Sequence, residues 1–298
     1  MEIQDYESRM QFSFLNYSRR TKTADLDSGF FITYTDEGEG DETVVFVHGL
    51  SSYIPAWDKN VSELKDSFRC IVIDLPGYGR SSSGVHSGKP EFYAAVIAEF
   101  INKLNLSNVI LAGHSMGGQI TMMTAIKYPE LVSKMILIAP AGFEKFSEEE
   151  AEWLKRNFTV NTVMQVNDEQ IRFNFTRNFF SMPEDAEKMI QDRIKMRSSV
   201  NFPDYCQVVV NSFYGMLDQP VYERLKEIRC ETLVLFGKND GLIPHPYLHK
   251  QSSPEAAAEA GASAIPDSKL VLLDNCGHFL QYEKPNECNR IIKDYLQS

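Results

Sequence analysis

A short motif at residues 113–118 supplies the first candidate for chemistry in this sequence. It reads Gly-His-Ser-Met-Gly-Gly, follows an apolar run ending at Leu111 and precedes a run of helical character starting at Gln119. The pattern G-x-S-x-G between a strand and a helix holds its serine in a tight turn, where glycines leave room for a strained backbone. The first N–H groups of the following helix carry partial positive charge. Ser115 is therefore a candidate nucleophile, with these groups placed to stabilise a developing anion.

A serine nucleophile needs a base, and the sequence offers six histidines. His48 and His278 each follow an apolar run, which predicts a position at the carboxyl end of a strand, where chemistry gathers in open parallel sheets. His114 adjoins the serine on a tight turn and is expected to be structural. Three others lie in polar or Pro-rich loops and are expected at the surface: His86, His245 and His249. The chain order nucleophile, acid, histidine favours His278.

The acid must then lie between Ser115 and His278. Asp240 directly follows the apolar run at 233–236, whereas the rival carboxylates Asp218 and Glu144 follow no buried strand so closely. A loop aspartate that only accepts hydrogen bonds within a turn is the alternative interpretation. We predict a Ser-His-Asp triad for nucleophilic catalysis.

The elements that would position these residues are visible as alternating strand and helix patterns. Helical patterns at 91–104, 119–128 and 285–296 lie between or after apolar runs typical of strands covered on both faces. These runs are 43–47, 71–73, 109–111, 135–138, 233–236 and 270–273. The alternation predicts an α/β fold with a parallel sheet and helices on both faces. Polar–apolar alternation at 10–17 and a run at 30–35 predict an antiparallel hairpin at its edge.

One long segment, residues 143–222, contains no buried-strand run. It has a helix-start composition at Ser147-Glu148-Glu149-Glu150 and is rich in aromatic residues. We predict a helical cap (143–222) inserted into a core domain formed by residues 1–142 and 223–298. An insertion at one end of a parallel sheet is well placed to cover a pocket. The candidate pocket residues are His48, Phe143, Trp153, Phe179 and Phe213, with packing of the aromatics on one another as the alternative.

Composition and charge restrict the classes of partner. The net charge of −11 argues against nucleic acid or an anionic membrane and favours a small-molecule substrate. The five scattered cysteines indicate neither a disulfide framework nor a metal site, and no cofactor is expected. The polar start of the chain and the absence of a long apolar run predict a cytoplasmic protein without a membrane span. The sequence gives no indication of oligomeric state.

Taken together, these motifs resemble the α/β-hydrolase superfamily, in its capped subgroup of esterases and C–C bond hydrolases. The resemblance covers nearly the whole chain, through His48-Gly49, Asp74-Leu75-Pro76-Gly77-Tyr78-Gly79-Arg80-Ser81, residues 113–118, Gly237-Lys238-Asn239-Asp240 and Gly277-His278. It implies an eight-stranded, mostly parallel sheet whose cap follows the sixth strand. It also implies an oxyanion hole formed by the backbone N–H groups of Leu50 and Met116. The chain lacks the lipase-type H-G-G-G, which implies less room for esters of tertiary alcohols.

The expected function is that of a serine hydrolase that cleaves a carboxylic ester of a small, apolar or aromatic substrate. In the resembling family, epoxide hydrolases and haloalkane dehalogenases carry aspartate where this chain has Ser115, which argues against those two activities. Other functions stay open at this stage, among them cleavage of an amide, lactone or thioester and cofactor-free perhydrolysis. A C–C bond hydrolase of ring-cleavage products would use the same triad, and a ligand receptor with slow turnover would keep the fold and signal through its cap.

Overall fold

One eight-stranded sheet organises the computed structural model, which describes residues 3–298. Its strands are β1 Lys22–Asp25, β2 Phe31–Glu37, β3 Thr43–Val47, β4 Arg69–Ile73, β5 Val109–His114, β6 Lys134–Ile138, β7 Glu231–Gly237 and β8 Ser268–Leu273. Their spatial order is β1-β2-β4-β3-β5-β6-β7-β8. The pairs β1–β2 and β2–β4 are antiparallel and the other five are parallel. The predicted mostly parallel α/β sheet is confirmed.

Helices connect the parallel strands and cover the sheet. They are α1 Ile3–Arg9, α2 Asp58–Leu64, α3 Pro90–Lys103, α4 Met116–Lys127, α5 Glu148–Asn157, α6 Val160–Met164, α7 Asp168–Thr176, α8 Glu187–Met196, α9 Phe202–Asp218, α10 Pro254–Ser263, α11 Leu280–Glu283 and α12 Pro285–Leu296. Short 3-10 helices lie at Ile54–Trp57, Pro129–Leu131, Glu184–Ala186 and Tyr222–Glu227. Helices α3 and α4 pack together, and α2 packs against α12. No helix within 3–298 is both long enough and apolar enough to cross a membrane.

The central strands form because their residues are apolar on both faces. Every residue of β3 is buried, and Val44 to Val47 are completely inaccessible to solvent. Such β-branched and aromatic runs suit a strand that helices cover on both sides. Strand β8 differs from the expectation of a fully covered strand: it is an edge strand, and its Leu270, Val271 and Leu272 are only half-buried.

The predicted first strand at residues 10–17 is wrong. Met10 makes only an isolated bridge to Ser82, and the chain then turns irregularly. The polar position Gln11, which would face solvent on an edge strand, is completely buried and bonds Asn201 through its Nε2 at 2.8 Å. The edge hairpin exists, but β1 supplies its outer strand. Because Lys22-Thr23-Ala24-Asp25 has little β propensity, its pairing with β2 rather than its composition makes it a strand.

Only helices lie between β6 and β7, as expected for the insertion. Its first helix, α5, begins in a capping box in which Ser147 Oγ accepts from the Glu150 N–H and the Glu150 carboxylate accepts from the Ser147 N–H. These bonds satisfy donors that a helix start leaves open. Helices α5 to α9 of the insertion and loops at the carboxyl ends of the strands enclose a cavity of about 720 Å³. The division into a core domain and a cap at 143–222 stays a prediction.

Candidate active site

Ser115 occupies a strained turn between β5 and α4. Its backbone has φ 53° and ψ −120°, a conformation that is unfavourable for any residue with a Cβ. The flanking glycines are required because neighbouring atoms lie too close for a side chain. A Cβ on Gly113 would lie 2.4 Å from Thr121 Oγ1, and a Cβ on Gly117 would lie 2.3 Å from Val47 O. This turn therefore brings α4 against the end of β3, and it leaves Ser115 on the wall of the cavity.

His278 and Asp240 form a buried pair at the ends of the neighbouring strands β8 and β7. His278 Nδ1 lies 2.7 Å from Asp240 Oδ2, and the two side chains are 3% and 0% exposed. The other carboxylate oxygen, Oδ1, accepts the N–H groups of Leu242 at 2.8 Å and Ile243 at 3.0 Å. With Nδ1–H directed at the carboxylate, His278 Nε2 is the ring nitrogen left to act as a base.

Ser115 and His278 both line the cavity. No hydrogen bond joins Ser115 Oγ to His278 Nε2, although both residues are described in full. In enzymes of this type the corresponding bond often shortens only when substrate binds. The arrangement therefore supplies a serine, a base and a carboxylate in the predicted order along the chain.

Two backbone N–H groups beside Ser115 are available to an anion. Met116 is the first residue of α4, and the N–H groups of a first helical turn have no acceptor within their own helix. Leu50 also lines the cavity, and its N–H makes no hydrogen bond to any group in residues 3–298. The preceding Gly49 lies so close that a Cβ there would be 3.2 Å from Ser115 Cβ. These positions suit the predicted oxyanion hole.

Two further histidines near the serine are held as neutral structural groups. His114 Nε2 donates to the His278 carbonyl at 3.0 Å, and burial keeps the pKa of His114 well below its usual range. His48 is bonded through Nδ1 to Gly49 O and through Nε2 to the Leu75 N–H, and burial lowers its pKa to about 4. His48 does not line the cavity, so its prediction as a pocket residue is wrong.

A cavity of about 720 Å³ lies beside Ser115, and α9 forms much of its apolar wall. The helix contributes residues at intervals of three or four, which places them on one face: Phe202, Tyr205, Val209, Phe213 and Met216. Other apolar members of the wall are Leu154, Phe158, Ile171, Phe175, Met189 and Met196. The cavity is large enough for a small organic substrate.

Of the four aromatic residues predicted to line the pocket, only Phe213 does. Phe143 is buried against Gly261, so close that a Cβ on that glycine would overlap its ring. Phe179 packs on Phe279, with 5.5 Å between ring centres, and Trp153 is 41% exposed outside the cavity. Which face of each helix points inward depends on how the helices pack on one another.

Arg193, on α8, is a cavity residue that sequence reasoning missed. Its Nη1 is inaccessible to solvent and has no hydrogen-bond partner in the described chain, while its guanidinium lies 4.9 Å from the centre of the Tyr205 ring. Burial lowers the pKa of Arg193 to about 10, so the side chain is still cationic at neutral pH. The sequence does contain an indication of this position. Arg193 falls four residues after Met189 and three before Met196, which places it on the apolar face of α8.

The loop that carries Asp240 is also tied to the insertion. Glu144 lines the cavity, accepts the His245 N–H at 2.6 Å and bonds His249 Nδ1. Burial raises the pKa of Glu144. His245 also lines the cavity and His249 is half-buried, so neither is the surface histidine that was expected.

The rival acids and the third loop histidine make no hydrogen bond to Ser115, His278 or Asp240. Glu144 bonds His245 and His249 instead, and Asp218 is paired with Lys155 at 2.5 Å. His86 is half-buried and stacks on Phe92, with 4.5 Å between ring centres. Among the side chains that the structure describes, those of residues 6–298, there is no group of three or more His, Cys, Asp or Glu placed to hold a metal ion.

Comparison with known proteins adds four similarities. A sequence profile described as the alpha/beta hydrolase fold matches residues 42–285. A 2-hydroxy-6-oxononadienedioate/2-hydroxy-6-oxononatrienedioate hydrolase of Escherichia coli (strain K12) is 28% identical over 296 residues, covering 95% of this chain and 94% of that protein. A thermophilic esterase from Thermogutta terrifontis has a TM-score of 0.72 at 26% identity, over 93% of this chain and 98% of its own. An esterase from Exiguobacterium antarcticum has a TM-score of 0.77 at 22% identity, over 94% of this chain and 100% of its own.

Proposed function

The chain belongs to the α/β-hydrolase fold family, and within that family we propose that it is a serine hydrolase that cleaves a carboxylic ester of a small, apolar or aromatic substrate. The observation that carries this proposal is the buried His278–Asp240 pair, which leaves Nε2 as the available ring nitrogen of a histidine that lines the same cavity as Ser115. The strained backbone of Ser115 adds independent support, because a turn of this kind persists only where the surrounding structure enforces it.

In the proposed reaction, Ser115 Oγ attacks the ester carbonyl while His278 Nε2 takes the hydroxyl proton. Asp240 orients the imidazole and stabilises its cationic form. The N–H groups of Leu50 and Met116 hold the tetrahedral oxyanion, and one such donor is typically worth about 3 kcal/mol in the transition state. The alcohol leaves with the proton from His278. Water then gives a proton to Nε2 as its oxygen attacks the acyl carbon. The acyl–Oγ bond breaks, Nε2 returns the proton to Ser115 Oγ, and the acid is released.

The walls of the cavity support an apolar or aromatic substrate. Phe213 and the other apolar residues of α9 face the space beside Ser115, together with side chains from α7 and α8. Removing an aromatic acyl or alcohol group from water against such walls is favourable. The similarity to the Thermogutta terrifontis esterase, at 26% identity, is in keeping with this choice.

A second candidate, hydrolysis of a C–C bond in an acidic ring-cleavage product, is favoured by Arg193. Its unpaired guanidinium lies in the cavity wall of a chain whose net charge is −11. A planar guanidinium matches a carboxylate, and a carboxylate in the substrate would supply the missing partner. The E. coli relative is named for a substrate with two carboxylates. In this candidate the same serine would attack the ketone of a vinylogous diketone.

The test compares the wild type with Ser115→Ala on two substrates. One is p-nitrophenyl butyrate, and the other is a chromophoric 2-hydroxy-6-oxo-dienoate. Preferential turnover of the ester supports the first candidate, and a kcat/KM at least about 100-fold higher on the dienoate supports the second. Turnover of either substrate that survives in Ser115→Ala, with an unchanged melting curve, would overturn the proposed role of the serine in both.

A further inference from the structure

Glu283, at the end of α11, accepts three backbone hydrogen bonds from two different parts of the chain. Its Oε2 accepts the Gly277 N–H at 2.8 Å and the Phe180 N–H at 3.2 Å, and its Oε1 accepts the Ser181 N–H at 2.6 Å. Gly277 immediately precedes His278, whereas Phe180 and Ser181 belong to the linker between α7 and α8 of the insertion. One carboxylate therefore joins the turn that carries the candidate base to the helical insertion.

Independent contacts hold the same two segments together. The Phe279 N–H donates to Asn178 O at 2.9 Å, so the residues before and after His278, Gly277 and Phe279, each donate a backbone N–H to this junction. The backbones touch at Gly277, where a Cβ would lie 2.6 Å from Phe180 N and 2.7 Å from Asn178 O. This close approach explains why only glycine fits before His278, and it leaves little space for the turn to move without the linker.

The linker is in turn connected to the cavity. Asn178 lines the cavity and ends α7 by donating through Nδ2 to Asn174 O and Phe175 O. Asn174 and Phe175 are themselves part of the cavity wall. The path from the cavity wall to His278 thus runs through the last turn of α7, residues 178–181 and the Glu283 carboxylate.

We propose that Glu283 is a positioning residue through which residues 178–181 of the insertion hold the turn that carries His278. It does not line the cavity, and it acts by tying the Gly277 N–H, directly before the base, to the N–H groups of Phe180 and Ser181. This inference rests on the proposed function, in which His278 Nε2 must reach the serine hydroxyl. Misplacement of a reacting group by about 1 Å can lower a rate about 100-fold.

The test uses Glu283→Ala and Glu283→Gln, with Glu287→Ala as the matched control. Glu287 is an exposed carboxylate four residues further on, and its side-chain contact is a long ion pair with Lys284. We expect Glu283→Ala to lower kcat for p-nitrophenyl butyrate at least about 10-fold with KM within about 3-fold, and to shift the pH at which kcat/KM is half-maximal. Glu283→Gln keeps one acceptor oxygen but turns an NH₂ group toward N–H donors, so we expect an intermediate loss.

A second readout needs no substrate. The proton between His278 Nδ1 and Asp240 gives a downfield proton resonance in NMR, and we expect this resonance to shift or broaden in Glu283→Ala but not in Glu287→Ala. If Glu283→Ala does not fold, the same measurements on Glu283→Gln test the proposal. A folded Glu283 variant with the kcat, pH profile and NMR resonance of the wild type would overturn it. A changed resonance in a protein whose wild type cleaves neither substrate would uphold the positioning role and overturn the proposed function instead.

Discussion

Asp240 binds His278 through one carboxylate oxygen and its own loop through the other. Oδ2 is 2.7 Å from His278 Nδ1, while Oδ1 accepts the N–H groups of Leu242 and Ile243. The carboxylate that orients the base is thus fixed by the backbone rather than by another side chain. Because one oxygen of Asp240 serves the base and the other holds the loop, substituting asparagine should impair catalysis without destabilising the fold.

Asp240→Asn is expected to lower kcat about 10⁴-fold while leaving the melting temperature nearly unchanged. The amide oxygen can still accept the two loop N–H groups, but the NH₂ group then faces His278 Nδ1. The imidazole must place its proton on Nε2, where it can no longer accept one from Ser115. The measurement is kcat on p-nitrophenyl butyrate together with a thermal melt. Asp274→Asn is the control, since Asp274 is exposed and paired with Lys238; equal activity of the two variants would contradict the role of Asp240.

The strain at Ser115 predicts an unusual order of stability between two inactive variants. Glycine adopts a positive φ without steric penalty, so Ser115→Gly should be more stable than Ser115→Ala by about 1 kcal/mol in the free energy of unfolding. At Ser62, which is exposed within α2, the order should reverse, because glycine is worse than alanine in a helix by a similar amount. Urea titrations of the four variants check this. The same order at both positions would mean that Ser115 stores no strain.

Under the second candidate function, in which Arg193 binds a carboxylate of the substrate, the chain should prefer anionic over neutral substrates. The wild type should hydrolyse p-nitrophenyl hydrogen glutarate with a higher kcat/KM than p-nitrophenyl butyrate. Arg193→Met should lose about 100-fold on the anionic ester and less than about 3-fold on the neutral one, since a lost buried charge pair is worth at least about 2 kcal/mol. Arg172→Met, which removes an exposed arginine paired with Glu187, is the control. A wild type that favours the neutral ester, or equal losses on both esters in Arg193→Met, would exclude an anion site at Arg193.

The buried neutral His48 predicts how stability depends on pH. Its pKa is about 4 in the folded chain and ~6.5 when unfolded, so between these values the unfolded state binds the extra proton. The contribution of His48 to the free energy of unfolding is complete above pH 6.5 and falls by up to about 3 kcal/mol as the pH drops to 4.

The comparison is between the wild type and His48→Gln, which retains an acceptor for the Leu75 N–H. Urea titrations at pH 7 and pH 4.5 should show a smaller loss of stability in the variant. Asp74, whose pKa burial raises to about 6, has the opposite pH dependence, but it is common to both proteins and cancels in the difference. If the free energy of unfolding fell equally in the wild type and His48→Gln between pH 7 and pH 4.5, His48 would not be held neutral in the folded protein.

Sequence reasoning succeeded where the determinant is local. The glycines around Ser115 mark a close approach of backbones, and the apolar runs that became β3 to β7 mark strands covered on both faces. Each feature follows from a few neighbouring residues, so it can be identified without knowing the tertiary structure. The position of Asp240 and His278 after strands likewise depends only on the order of elements.

The errors concern residues whose environment is set by distant segments. Gln11 is buried because it meets Asn201, some 190 residues away, so the alternation around it was not that of an edge strand. Phe143 and Phe179 face neighbouring elements rather than the cavity, and Arg193 was overlooked because a charged residue on an apolar helix face was not considered. Single-residue burial within the insertion depends on how α5 to α9 pack, which aromatic content alone does not determine.

The central claim, that Ser115 is the nucleophile activated by His278, is tested most directly by intact-protein and peptide mass spectrometry after treatment with a fluorophosphonate. We predict one adduct per chain on the peptide that contains Ser115, a rate of labelling that falls steeply in His278→Ala, and no adduct in Ser115→Ala. Labelling of another residue, or equal labelling of the wild type and Ser115→Ala, would contradict the account.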